Sequence, residues 1–115
     1  MTNSAPIVTD ISCHADRQHL DIRFDDGTSI TLSAELLRVE SPSAEVQGHG
    51  PDQKQLVRGK EQVKISQIIP VGHYAVRIEF DDGHNTGIYS WALLYDYGQR
   101  QEALLAAYRA QLATH

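Results

Sequence analysis

Six histidines, at positions 14, 19, 49, 73, 84 and 115, are the side chains here best suited to chemistry near neutral pH. Zinc and iron sites need three or four N, S or O ligands, often with two of them closely spaced. Cys13 and His14 are adjacent on a predicted strand, where neighbours point to opposite faces, so they do not chelate as a pair. The composite site that the residues favour is His84, beside Asp81 and Asp82, joined by His49 from the Gly48-His49-Gly50 loop. No spacing signature accompanies it, and surface imidazoles are the default. Nucleophilic chemistry has less to stand on. Cys13 reads as a structural thiol, and Ser41 and Ser43 lack the G-x-S-x-G elbow. The Asp25-Asp26 and Asp81-Asp82 pairs are turn formers first. Arg38 is typed to receive an anion, but a basic residue near a helix C-terminus is favoured there anyway.

The elements that position these groups come in two copies. Leu20-Asp21-Ile22-Arg23-Phe24-Asp25-Asp26-Gly27 runs on through Ile30 and Leu32 to Ser33, Leu36 and Leu37. Val76-Arg77-Ile78-Glu79-Phe80-Asp81-Asp82-Gly83 runs on through Ile88 to Ser90, Leu93 and Leu94. Alternating apolar and charged residues predict half-buried strands, and Asp-Gly supplies the tight turn of a hairpin. Ser33 and Ser90 are well-typed helix N-caps. The offset grows by one between the Phe and the Ser, so Gly87 or a neighbour is an inserted residue. Gly27-Thr28-Ser29 of the first copy answers to Gly83-His84-Asn85-Thr86-Gly87 of the second, and that rim is where the copies diverge.

The expected fold class is therefore α+β. Two strand–hairpin–helix pseudo-repeats surround an antiparallel or mixed sheet, with a C-terminal helix over about 99–114. Gly98 is expected to separate that helix from a short one begun at Trp91. The whole chain, 1–115, reads as one domain with its core over about 7–97. Between the halves, residues 40–60 hold two prolines and three glycines and read as a long connection, with Ser43 capping a single helical turn. Long loops inside compact domains are often functional.

With 115 residues, 41% hydrophobic and 22% charged, the chain fits a single modest core. A lone cysteine excludes an intramolecular disulfide and fits a reducing compartment. A formal charge of −5 with scattered basic residues argues against a nucleic-acid surface. No apolar run approaches bilayer-spanning length, and residues 1–6 lack the regions of a secretory signal. A soluble cytoplasmic protein is the expectation, with no nucleic-acid or membrane partner.

Three stretches carry a resemblance: 37–50, 71–76 and 80–91, the last reading Phe80-Asp81-Asp82-Gly83-His84-Asn85-Thr86-Gly87-Ile88-Tyr89-Ser90-Trp91. Together they resemble the small bacterial DUF971 family, related to the N-terminal domain of γ-butyrobetaine hydroxylase and trimethyllysine hydroxylase. The resemblance runs from about Ile7 to Tyr97. It implies that the iron- and 2-oxoglutarate-dependent chemistry belongs to a separate C-terminal domain that this chain is too short to contain. It also implies a zinc position, which in the hydroxylases is held by three closely spaced cysteines and a later histidine. Here those positions fall near Ser41, Ser43 and Val46 and on His84, so the thiolates are gone. Related modules joined to ATPases of iron–sulfur assembly suggest a place near metal-cofactor handling.

The expectation for function is a non-enzymatic binding or adaptor module. It presents Ser41, Ser43, His49, His84, Asn85 and Trp91 to a protein partner or small ligand, with no resident cofactor. The alternative is a domain holding iron or zinc weakly through His84 and His49. The Ser41–Val46 segment is expected to lie beside His84, clamped by polar contacts.

Overall fold

The computed structural model describes residues 6–48 and 54–114. His49 and its glycine neighbour Gly50 lie outside the described residues, as do the expectations placed on them. Strands β1 (Val8–Cys13), β2 (His19–Phe24) and β3 (Ser29–Ser33) lead into helix α1 (Ala34–Val39) and a single turn, α2 (Ala44–Gln47). Strands β4 (Ile65–Val71), β5 (Ala75–Phe80) and β6 (Gly87–Ser90) then lead into helix α3 (Trp91–Thr114). The strands form two antiparallel three-stranded sheets, β1-β2-β3 and β4-β5-β6, giving the α+β class.

The two halves repeat down to individual hydrogen bonds. Phe24 N–H donates to Thr28 O and Phe80 N–H to His84 O, both at 2.9 Å. Gly27 and Gly83 each donate back to the Phe carbonyl at 3.1 Å, from φ of 88° and 93°. Glycine is required there because a Cβ disfavours positive φ. Val8 pairs with Phe24 and Ile65 with Phe80, and a register shift follows each pair at the same point. Ser33 caps Leu36 N–H and Ser90 caps Leu93 N–H, both at 3.1 Å. Ile22 faces Ile30, whereas Ile78 faces Gly87. The extra residue of the second copy therefore lies at Asn85-Thr86, and Gly87 belongs to the ladder.

Apolar residues of both sheets share one core, which joins Leu20, Ile22, Phe24, Leu32, Leu36 and Leu37 to Ile65, Val76, Ile78, Phe80, Tyr89 and Leu94. The sheets also meet at a backbone contact, Ile65 N–H to Arg17 O at 2.8 Å. Cys13 is half-buried against this core. Replacing it by serine is expected to cost about 1 kcal/mol in urea unfolding; an unchanged midpoint would mean the thiol packs against nothing that matters.

One expectation is corrected. Gly98 does not end a helix: α3 runs unbroken from Trp91 to Thr114. The reason for the glycine is close packing. A Cβ at position 98 would sit 2.5 Å from Ile30 Cδ1 and 2.7 Å from its Cγ2. Glycine lets the helix press against β3, and that contact outweighs its helix propensity cost of about 1 kcal/mol. Among the described residues, no helix is long and apolar enough to cross a membrane.

Candidate functional site

The second hairpin and the connection between the halves close on one another through His84. Local geometry begins the arrangement: Asp82 Oδ1 accepts the His84 amide at 3.0 Å, an Asx turn that lifts the imidazole off the hairpin tip. Across the gap, Ser43 caps α2 by accepting Glu45 N–H at 3.2 Å. The two sides meet where Ser41 Oγ lies 2.9 Å from His84 Nε2, and Ser43 Oγ 2.7 Å from Thr86 Oγ1. His84 Nδ1 lies 3.1 Å from Glu45 Oε1. Ser41 is fully buried, and His84 is only 6% exposed.

Burial is the main reason the His84 pKa is lowered, followed by the charge of Arg38; Glu45 and Asp82 pull the other way without prevailing. The folded protein thus favours the neutral ring. A carboxylate can only accept, so Nδ1–H donates to Glu45, and Nε2 accepts from the Ser41 hydroxyl. Ser41 Oγ in turn accepts Ser43 N–H at 3.2 Å.

A pH dependence follows. A histidine depressed in the folded state binds its proton more readily when unfolded, so stability rises with pH across the interval between the two values. This contribution is full above about pH 6.5, the ordinary histidine value. It declines as pH falls from there to the folded pKa and is flat below it. Urea midpoints measured at steps from pH 8 to 5 should show this decline, and His84→Gln should flatten it. An unchanged slope in the variant would assign the dependence to other groups.

Asp82 is the second anchor. Partial burial by itself would raise its pKa, but hydrogen bonds from Lys60, the His84 amide and Arg38, together with the Arg38 charge, carry it down to about 2. Arg38 Nε and Lys60 Nζ reach the same Asp82 oxygen at 2.7 and 2.6 Å. The anion that Arg38 was typed to receive is therefore supplied by the chain itself.

Tyrosine hydroxyls hold α1 and the rest of the connection by their carbonyls. Tyr89 donates to Leu37 O, Tyr97 to Glu40 O and Tyr108 to Val57 O. Gln47 adds a bond from its side-chain amide to Ser41 O at 2.7 Å.

In order and contact, Ser41, His84 and Glu45 match the nucleophile, base and acid of a hydrolytic triad. Access decides against that chemistry. Ser41 has no exposed surface, and a Cβ built on Gly87 would lie 2.5 Å from its Oγ. A substrate carbonyl has no room to approach. The zinc position implied by the hydroxylases does not fit either. Two hydroxyls at hydrogen-bonding distances and the buried, donorless Val46 are not thiolate ligands, and both nitrogens of His84 are engaged within the protein. The arrangement is a polar latch.

The structure thus brings Ser41, Ser43 and His84 together and leaves Asn85 exposed on the rim beside them. Trp91 is apart from the latch, half-buried, with its indole N–H donating to His73 O at 2.9 Å. Glu45, Thr86 and Tyr89 are members that the sequence did not single out. Glu45 carried a faint signal, two residues after a Ser cap; Thr86 lay in the divergent rim and Tyr89 in the 80–91 stretch, but nothing local marked either as a contact.

A family model described as γ-butyrobetaine hydroxylase-like, N-terminal, matches residues 11–95. Two proteins known from NMR solution structures are similar over nearly the whole chain. One is 49% identical with a TM-score of 0.84, covering 99% of this chain and 86% of its own. The other is 42% identical with a TM-score of 0.80, covering 96% and 86%. The crystal structure of a protein of unknown function from Acidithiobacillus ferrooxidans ATCC 23270, which belongs to the DUF971 family, is also similar. It is 39% identical with a TM-score of 0.65, over 79% of this chain and 93% of that one. Among curated proteins, nothing matches.

Proposed function

The chain belongs to the γ-butyrobetaine hydroxylase-like N-terminal family, and from that premise we propose that it is a non-enzymatic binding module that offers the latched loop and hairpin rim to a protein partner. The family model covers an N-terminal domain and assigns no activity of its own. The observation that carries the reading is the closure of the latch. Ser41, Ser43 and His84 are buried, so they fix the surface rather than touch a partner. What they fix is an exposed rim: Glu45, 61% exposed along its side chain, is held against His84, and Asn85, the next residue, is exposed. Pre-ordering a loop removes part of the entropy that association would otherwise cost.

Three features support a binding role over catalysis: the inaccessible Ser41, the filled ring nitrogens of His84, and the ion-paired Arg38–Asp82–Lys60 group. None leaves a reactive atom at the surface. The alternative of a metal held by His84 and His49 draws no support from His84, whose nitrogens already have partners.

A photo-crosslinking residue at Asn85 tests the reading, with one at the exposed Glu102 on α3 as control. In cells, the Asn85 probe should give discrete adducts that the Glu102 probe does not, and His84→Ala should remove them. Adducts from both probes alike, or none specific to Asn85, would overturn the proposal.

A further inference from the structure

We propose that His14, Asp16 and His19, at the turn between β1 and β2, form a binding site for a divalent transition-metal ion of the zinc class. The site is far in sequence from the latch and independent of it. Cys13 pairs with Leu20, so His14 and His19 stand next along the same β1–β2 ladder, and His14 N–H donates to His19 O at 2.9 Å. Residues opposite one another on antiparallel strands share a face, with Cβ atoms about 5 Å apart. The two imidazoles consequently meet, their centroids 5.4 Å apart. The turn between them brings Asp16 back over the pair. One ligand atom from each of the three residues falls within 4.8 Å of the others.

That separation suits a first-row metal after a small closure. Ligands about 2.0–2.1 Å from a tetrahedral zinc stand about 3.3 Å from each other. His19 Nδ1 and Asp16 Oδ2 are already 3.1 Å apart. Two imidazoles and one carboxylate form a borderline donor set favouring zinc and its neighbours over calcium or magnesium. Three protein ligands leave a fourth position open to water or to a group from a partner.

The surroundings hold these ligands in place. Gln18 N–H donates to Asp16 Oδ1 at 2.8 Å, leaving Oδ2 toward His19. Asp21 Oδ1 lies 3.0 Å from His14 Nε2 and accepts the Thr31 hydroxyl at 2.6 Å, the outer carboxylate that orients a ligating imidazole. Arg17, at φ 58°, is the one non-glycine residue with positive φ among the described residues. Its side chain turns away from the ligands and donates to Ile65 O and Ser66 O, both at 2.7 Å. A strained turn is thereby fixed to β4, and its cation is kept clear of the site. The ligands themselves are accessible, with His14 and His19 side chains 40% and 46% exposed.

Zinc titration of the tag-free full chain, followed by imidazole NMR signals and calorimetry, tests the site. One equivalent should move the His14 and His19 signals together while His73 and His84 stay still. His14→Gln and His19→Gln should each abolish that binding, Asp21→Asn should weaken it roughly tenfold, and His73→Gln should leave it intact. These side chains lie outside the core, so the variants should keep the amide spectrum of the folded chain. Undiminished binding in the His14 and His19 variants, shifts spread over all exposed histidines, or no binding by the parent chain would each overturn the proposal.

Discussion

Phe80→Ala is expected to lower stability by about 3–5 kcal/mol, and Phe24→Ala by a similar amount. Each ring is 3% exposed and sits at the end of a central strand, opposite the first paired residue of its neighbour. Each backbone anchors a Gly turn by the same two hydrogen bonds. Truncation removes the buried ring and leaves a cavity that two turns fixed by those bonds cannot collapse to fill. The consequences should differ in location. Phe24 packs edge-on against Tyr95 of α3, with centroids 5.0 Å apart, whereas Phe80 neighbours the His84 ring at 6.1 Å. Phe24→Ala should therefore loosen the helix, and Phe80→Ala the latch, as read by amide exchange. Urea unfolding of both variants gives the magnitudes. Losses differing by more than about 2 kcal/mol would show that the two sites, though alike in hydrogen bonding, are not equivalent in packing.

His84→Ala is expected to cost about 2–4 kcal/mol. The substitution removes the contacts to Ser41 and Glu45 and leaves the buried Ser41 hydroxyl without the ring nitrogen that accepts its proton. It also creates a void between α2 and the second hairpin. The backbone of residues 40–48 would then be held chiefly by the Ser43–Thr86 hydroxyl pair, by Gln47, by Tyr97 at Glu40 O and by the bond from Gln55 N–H to Val46 O. Local opening should rise above global unfolding there. In hydrogen exchange, protection should fall first over 41–48 and persist at Ile22 and Ile78. Retained protection of the loop would reduce His84 to an ordinary turn residue and remove the basis of the binding proposal.

Local chemistry made much of this molecule legible from its residues. Alternation placed Ile22, Phe24, Ile78 and Phe80 on a buried face, Asp-Gly placed both turns, and Ser33, Ser43 and Ser90 placed three helix starts. These signals act over a few residues, so a sequence carries them without its fold. The nearness of Ser41 and Ser43 to His84 was reached through the family resemblance, although Ser41 and His84 are 43 residues apart in the chain. Gly98 misled because a glycine weakens a helix in isolation, while only the approach of Ile30 shows why α3 needs one. The pairing of His14 with His19 escaped notice for a related reason. Their spacing of five suggests nothing until a hairpin register sets them across from each other. Tertiary structure also decided that Ser41 and His84 are sealed while Glu45 stays at the surface. Burial and close approach depend on every element at once, and no window of sequence contains them.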